Sequence, residues 1–384
     1  MKKLSLIATS AMGLEAIVGK EVRDLGYECK VENGKVSFEA DELAVCRTNL
    51  WLRTADRIKI KVGEFKAKTF DELFEGTKAL NWGQFLPLNA EFPVIGKSVK
   101  STLASVPDCQ AIVKKAVVEK LKSHYKTTGW LTEDGPLYRI EVALLKDVAT
   151  ITIDASGAGL HKRGFRVDQG GAPIKETLAA ALVLLTNWTP DKPLVDPFCG
   201  SGTIPIEAAL IGQNIAPGFN REFVSEDWHW IGEDKWDLAR QEVEDKANYD
   251  QPLDIQASDI DHRMVRIAEA NADEAGLREL INFKQMQVKD FTTTKEFGVI
   301  VGNPPYGERL GEKKAVEQMY REMGQAFAPL DTWSIYMLTS HEGFEDFYGK
   351  PATKKRKLFN GFIKTDFYQY WSSVRPPRKK ADSE

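Results

Sequence analysis

The sequence is short of cysteine and histidine. Its four cysteines, Cys29, Cys46, Cys109 and Cys199, form no Cys-x-x-Cys pair, and its five histidines are scattered. This pattern argues against a structural metal site and a disulfide framework, and it points to a reducing compartment. Long apolar runs are also missing, since no stretch approaches the roughly 20 residues of a membrane span. The first residues, MKKLSLIATSAMGLEAIVGKE, place a short apolar run behind two lysines. Glu15, Lys20 and Glu21 then arrive on a helical period, so the segment reads as a first strand and helix rather than a secretion signal. The expected location is the cytoplasm. Positive charge is in no excess: the formal net charge is −4. A general polyanion binder is therefore excluded, and any nucleic-acid contact must come from local patches.

What is present is enough chain for two or three domains, at roughly 100–200 residues each. Residues 1–66 read as an α+β subdomain: a strand KLSLIAT, a helix GLEAIVGKEVRDLG, a hairpin with Asn33-Gly34 at a type I′ tip, a second helix and an alternating strand RIKIKVGEF. Residues 67–154 continue in the same style, with two alternating strands turning at Lys146-Asp147. Residues 155–172 are rich in glycine and basic groups and read as a linker. From 173 to 384 strands and helices alternate, which predicts a doubly wound, mostly parallel α/β sheet of the Rossmann type. Its last two strands form a hairpin at Asn360-Gly361.

The chemistry-bearing segments lie in that last domain. PLVDPFCGSGT is a strand, a glycine-rich turn and a helix start, and Gly200 and Gly202 let backbone approach a ligand closely. It matches neither GxxxxGK[ST] nor GxGxxG, which disfavours a triphosphate or a dinucleotide pyrophosphate. Asp259 ends the next strand, where an acid can accept from both ribose hydroxyls, and Asp261 reads as a helix cap. Asp290-Phe291 ends a third strand, an acid to accept from an adenine amine and a ring to cover its face. After the apolar run FGVIV comes Asn303-Pro304-Pro305-Tyr306. Two prolines cannot continue a sheet, so this segment is a rigid ledge carrying an amide and an aromatic ring.

In this order, these motifs resemble the class I S-adenosylmethionine-dependent amino-methyltransferases, in which [ND]PP[YFW] accompanies methylation of a planar NH2 nitrogen. The resemblance implies that Asp196, Pro197, Phe198, Cys199, Gly200, Gly202 and Thr203 shape the methionine side of the cofactor pocket, with Thr177 reaching the cofactor carboxylate. It places Asp259 and Ile260 at the ribose, Asp290 and Phe291 at the adenine, and Asn303 beside the reacting methyl. Asn303 Oδ1 and the Pro304 carbonyl would each accept one N–H of the target amine, aiming its lone pair at the sulfonium methyl, and Tyr306 would stack on the target ring. Asn303, Pro304, Pro305 and Tyr306 are thus the expected catalytic set, with no metal.

The segments FEGTKALNW, SGAGLHKRGFR, GGAPIKETLAAALV and VDPFCGSGTIPIEAAL together resemble the bacterial large-subunit ribosomal RNA guanine-N2 methyltransferases that carry a THUMP domain. By that resemblance 1–66 is ferredoxin-like, 67–154 is a THUMP RNA-binding domain and 173–384 is the methyltransferase. The implied substrate is a guanine N2 amine of 23S ribosomal RNA before full assembly. His161, Lys162, Arg163 and Arg166 crowd the linker beside the expected pocket and are the expected phosphate contacts. Two alternatives stand beside this reading: adenine-N6 methylation of DNA or RNA, and a non-catalytic RNA-binding assembly factor.

Overall fold

A computed structural model describes residues 3–167, 173–307 and 312–374. It divides into two compact units, each built on one seven-stranded sheet.

The first unit comprises Met1–Ala11, Val18–Leu160 and Arg221–Asp245. Its strands are β1 (Leu4–Ser10), β2 (Cys29–Glu32), β3 (Lys35–Ala40), β4 (Ala55–Lys66), β5 (Val94–Val99), β6 (Ile140–Leu145) and β7 (Val148–Asp154). They lie in the order β2-β3-β1-β4-β7-β6-β5. The two α+β modules read from the sequence are therefore one continuous sheet. The joint is β4, 12 residues long, which pairs antiparallel with β1 in its first half and with β7 along most of its length. Its register slips between Lys61 and Gly63. A Cβ at Gly63 would sit 2.3 Å from Leu80 Cδ2, so a larger residue at this bulge would require Leu80 to move.

Turn chemistry departs from expectation in two places. The last hairpin turns at Gly361-Phe362, one residue later than expected, with Asn360 paired to Ile363. The other is the first hairpin. At Asn33-Gly34 only Gly34 has positive φ, so the tip is not type I′, which needs both central residues left-handed. Lys146 and Asp147, with φ of 50° and 62°, are the pair that adopts it. The segment read as a linker is also built in. Ser156 is fully buried, accepts from the Ile58 N–H at 2.8 Å and donates to Asn49 Oδ1 at 2.6 Å. Ala155–Leu160 belong to the first unit and His161 onward to the second; residues 168–172 of that segment lie outside the described residues.

Arg221–Asp245, expected within the methyltransferase domain, clusters with the first unit. The Trp228 ring stacks on Tyr138 with centroids 4.5 Å apart and its indole N–H donates to the Leu137 carbonyl at 3.0 Å. The helix Glu233–Lys246 is tied down by Glu242, which accepts from Arg47 at 2.6 and 2.9 Å. The sequence pattern signals no element here.

The second unit carries β8 (Leu194–Asp196), β9 (Ile255–Asp259), β10 (Ile281–Gln285), β11 (Val299–Gly302), β12 (Ser334–Thr339), β13 (Lys354–Asn360) and β14 (Ile363–Tyr370). The order is β10-β9-β8-β11-β12-β14-β13, parallel except for β14, which runs antiparallel to both its neighbours. The doubly wound sheet expected from the alternation of elements is thus present. Between β8 and β11 the chain order reverses, and in open α/β sheets the ligand crevice lies at the carboxyl ends of the strands flanking such a point. One side of the sheet packs on a core that includes Ile300, Tyr320, Met323, Met337, Phe344 and Tyr368. Among the described residues no helix is long and apolar enough to cross a membrane.

Candidate active site

β8 and β11 deliver the two key segments side by side, with Val299 and Ile300 in register against Leu194 and Val195. β8 ends on Asp196, which is almost wholly buried. Its Oδ1 accepts from the Phe198 N–H at 3.0 Å, while Oδ2 is buried with no hydrogen-bond partner among the described residues. Burial pushes its pKa up to about 8, against the Phe198 bond and with help from the Asp259 charge. A buried carboxylate oxygen left unpaired is costly unless a ligand completes it. Across the switch point β11 ends on Gly302. A Cβ there would lie 3.2 Å from Phe198 Cδ2, 3.4 Å from Met337 Sδ and 3.5 Å from Asp196 Oδ1. The absent side chain keeps this crevice open.

The turn after β8 is held by its glycines. Gly200 and Gly202 have φ of +51° and +84°. A Cβ on Gly202 would approach Ala268 Cβ to 3.0 Å, so glycine here also permits close packing of the helix His262–Glu274. Asp259, at the end of β9, accepts from the Gly200 N–H at 3.1 Å and from the Asp261 N–H at 2.9 Å. Burial raises its pKa. Each oxygen keeps a lone pair for a ribose hydroxyl. Asp261 caps the helix that follows, accepting from the Arg263 N–H at 2.8 Å. Ile260 between them is 64% exposed, an apolar surface beside Asp259.

Other expected cofactor residues are placed differently. Asp290 is exposed at the end of a short 3-10 turn, open to a ligand. The Phe291 ring is not: it is 3% exposed and packs edge-on against Phe327 and Trp333, so it belongs to the core. Pro197, Cys199, Thr203 and Thr177 are buried, and Phe198 is half-buried. Burial pushes the Cys199 thiol well up, so it stays neutral and serves as packing. Thr177 sits in the first turn of the helix Glu176–Leu184.

The linker cations separate into two groups. Arg163 is 4% exposed and its guanidinium donates to both carboxylate oxygens of Glu207, at 3.0 and 3.3 Å. Arg166 donates to Glu176 at 2.8 Å, to Ser201 Oγ at 3.3 Å and to Thr203 Oγ1 at 3.2 Å. Neither presents its charge to a phosphate in this structure. Arg166 braces the glycine-rich turn and Arg163 the helix Thr203–Gly212 that follows it, roles the sequence did not suggest. The same brace includes Asn271, almost fully buried, which accepts from the Val167 N–H at 2.8 Å and donates to the Ser201 carbonyl at 2.9 Å. Lys162 is exposed and His161 half-buried.

After Gly302 the chain leaves the sheet as Asn303-Pro304-Pro305-Tyr306. The Tyr306 hydroxyl donates to Asn303 Oδ1 at 2.6 Å and accepts from Asn360 Nδ2 at 3.2 Å. The fully buried Tyr320 donates to the Pro305 carbonyl at 2.7 Å. The ledge is thus braced from two sides, through Asn360 and Tyr320, which sequence motifs do not mark. A separate cavity of about 430 Å³, lined by Asn187, Tyr336, Arg356 and Trp371 among others, contains neither Asp196 nor the ledge.

An RMKL-like methyltransferase domain matches residues 163–369, over half of the chain. The chain belongs to the RMKL-like methyltransferase family. An RlmL ferredoxin-like domain matches residues 5–59 and a THUMP domain residues 67–154. The chain is 77% identical, over the full length of both, to the Bacillus subtilis (strain 168) protein YpsC, named as an RNA methyltransferase. A solved Listeria monocytogenes structure, described as an N6-adenine-specific DNA methylase, is 66% identical with a TM-score of 0.94 over 97% of each chain. SMU.472, described as a methyltransferase and solved in complex with SAH, is 52% identical with a TM-score of 0.95 over 98% of this chain and 100% of that one. TrmN from Thermus thermophilus, 19% identical with a TM-score of 0.69, shares the fold. The cofactor of this RMKL-like methyltransferase is S-adenosyl-L-methionine. The unpaired Asp196 oxygen, the opening at Gly302 and the Asp259 carboxylate fit such a cofactor: a cationic amino acid part at one end, a ribose at the other.

Proposed function

We propose that the protein methylates the exocyclic N2 amine of a guanine in 23S ribosomal RNA before the large subunit is fully assembled. The observation that carries this reading is the position of the Asn303-Pro304-Pro305-Tyr306 ledge. It follows directly on Gly302, which lies against Asp196 at the switch point. A planar amine conjugated to a purine is a poor nucleophile because its lone pair is delocalised. Asn303 Oδ1 and the Pro304 carbonyl accept its two N–H bonds and turn the lone pair out of conjugation, so positioning is the main catalytic lever. When bound, S-adenosylmethionine supplies an electrophilic methyl on a sulfonium. A guanine nitrogen held there by Asn303 and the Pro304 carbonyl would attack that methyl carbon as the carbon–sulfur bond broke with its electrons on sulfur, and the nitrogen would then release a proton to water. No strongly basic side chain is required.

The RNA assignment draws on the THUMP match and on the naming of the Bacillus subtilis relative. Of the expected linker set, Arg163 and Arg166 pair with Glu207 and Glu176, whereas Lys162 is exposed and His161 half-buried, and these two are the phosphate contacts in this reading. Adenine N6 is the second reading, favoured by the description of the Listeria monocytogenes relative. One experiment separates them. The protein is incubated with methyl-labelled cofactor and separate pools of ribosomal RNA, transfer RNA, DNA and protein, and nucleosides are resolved by mass spectrometry. Label in N2-methylguanosine from ribosomal RNA is expected. Label in N6-methyladenine overturns the guanine assignment, and no transfer to any RNA overturns the whole reading.

A further inference from the structure

We propose that the tip of the β13–β14 hairpin is a wedge: Phe362 enters the RNA stack and takes the place of the extruded target base. The inference rests on the RNA reading above. Asn360 pairs with Ile363, so Gly361 and Phe362 form a two-residue turn. Gly361, with φ of +64°, meets the conformational need of that turn. Phe362 meets no need of the fold: it is as exposed as a side chain can be, at 105% relative to the extended reference, and Ile363 beside it is 38% exposed. A benzyl group in water at the apex of a hairpin loses the burial energy that makes phenylalanine a core residue.

Two observations identify what covers it. The first is position. Asn360 Nδ2 donates to the Tyr306 hydroxyl at 3.2 Å, fastening the hairpin to the catalytic ledge. Phe362 lies two residues further on, within about 7 Å of chain. That is the span of about two stacked bases at 3.4 Å each. The second is charge. Lys354 and Lys357 on β13 and Lys364 on β14 are exposed, and Phe359 and Lys364 face each other in register. A basic ribbon leading to an apolar tip matches a polyanion with flat bases at its centre. It does not match an apolar protein surface, which would have to desolvate the lysines.

The chemistry gives such a device a use. A guanine whose N2 amine reaches Asn303 has left its stack, and its neighbours lose their contacts. Apolar side chains inserted at such gaps compensate for unstacking. Tyr306 would cover the extruded base while Phe362 fills the vacancy, the two rings joined through Asn360.

The test uses the full-length protein and a short RNA carrying the guanine mapped by mass spectrometry, prepared in two forms: intact, and with an abasic site next to the target, which makes extrusion cheap. Phe362→Ala is expected to lose about tenfold in kcat/KM on the intact RNA and to approach wild type on the abasic form. Phe362→Trp should retain activity on both. With 2-aminopurine replacing the target, binding of wild type should raise its fluorescence and binding of Phe362→Ala should not. Full activity of Phe362→Ala on intact RNA overturns the wedge, as does an equal loss on both RNAs, which would signify a general RNA contact. In either case an active wild type leaves the guanine reading standing; a wild type that transfers nothing to RNA removes both.

Discussion

The Tyr306 hydroxyl donates to Asn303 Oδ1 at 2.6 Å. This bond leaves the second lone pair of that oxygen for a substrate N–H. Asn360 holds Tyr306 in turn. The ledge is preorganised by a chain of hydrogen bonds rather than by its prolines alone.

The proposed mechanism gives Tyr306 two separable functions, orienting Asn303 and stacking on the target. Tyr306→Phe keeps the ring and should lower kcat about tenfold with little change in KM for RNA. Tyr306→Ala should in addition raise that KM, since base stacking on an aromatic is worth roughly 1–3 kcal/mol. Asn303→Ala should cost about 100-fold or more in kcat with cofactor affinity retained. Steady-state kinetics and calorimetry check all three, and an unchanged Tyr306→Phe enzyme would reduce the hydroxyl to a space-filler.

If Asp196 holds the cofactor as proposed, cofactor binding should depend on pH. Its carboxyl is raised by burial to about 8, above the ordinary value of 3.8. A raised acid favours the protonated form in the folded protein. Stability from this group is therefore full below the ordinary value and falls as pH rises from there to about 8. A cationic ligand favours the ionised form instead, so binding should release a proton and tighten several-fold between pH 6 and pH 8. Calorimetry in buffers of different ionisation enthalpy reads the proton directly. Asp196→Asn should abolish the pH dependence; a dependence that survives this change belongs to another group.

Arg163 should behave as a structural residue. Its ion pair with Glu207 is buried on both sides, with side-chain exposures of 2% and 0%. Removing one partner leaves a charge unpaired in the interior, which costs about 3–5 kcal/mol. Glu207→Gln is expected to lower the denaturation midpoint markedly. Lys162→Glu, on the exposed neighbour, should leave the midpoint alone and weaken RNA binding with a flatter salt dependence. If instead Lys162→Glu leaves the salt slope unchanged, the linker makes no phosphate contact.

Much of the second unit is legible in the chain itself. Strand–helix alternation, the glycine pair at Gly200 and Gly202, Asp259 at a strand end and the diproline ledge are local patterns, set by backbone sterics and hydrophobic periodicity. The continuity of the first sheet is not local. It depends on β4 pairing with β1 along Ala55–Ile60 and with β7 from Lys59 onward, through a register shift between Lys61 and Gly63.

The sequence by itself settles that the chain builds an α/β sheet with a ligand turn and a rigid amide-bearing ledge, because each is encoded within a dozen contiguous residues. Only the tertiary structure decides what the charges and rings do there. Arg163 and Arg166 look like an RNA patch in one dimension, but Glu207 and Glu176 claim them. Phe291 looks like a cofactor lid and is core, whereas Phe362 looks like one more strand residue and is fully bare. Whether a guanidinium meets water or a carboxylate, and whether a ring meets solvent or a neighbour, depends on residues far away in sequence that the fold brings together.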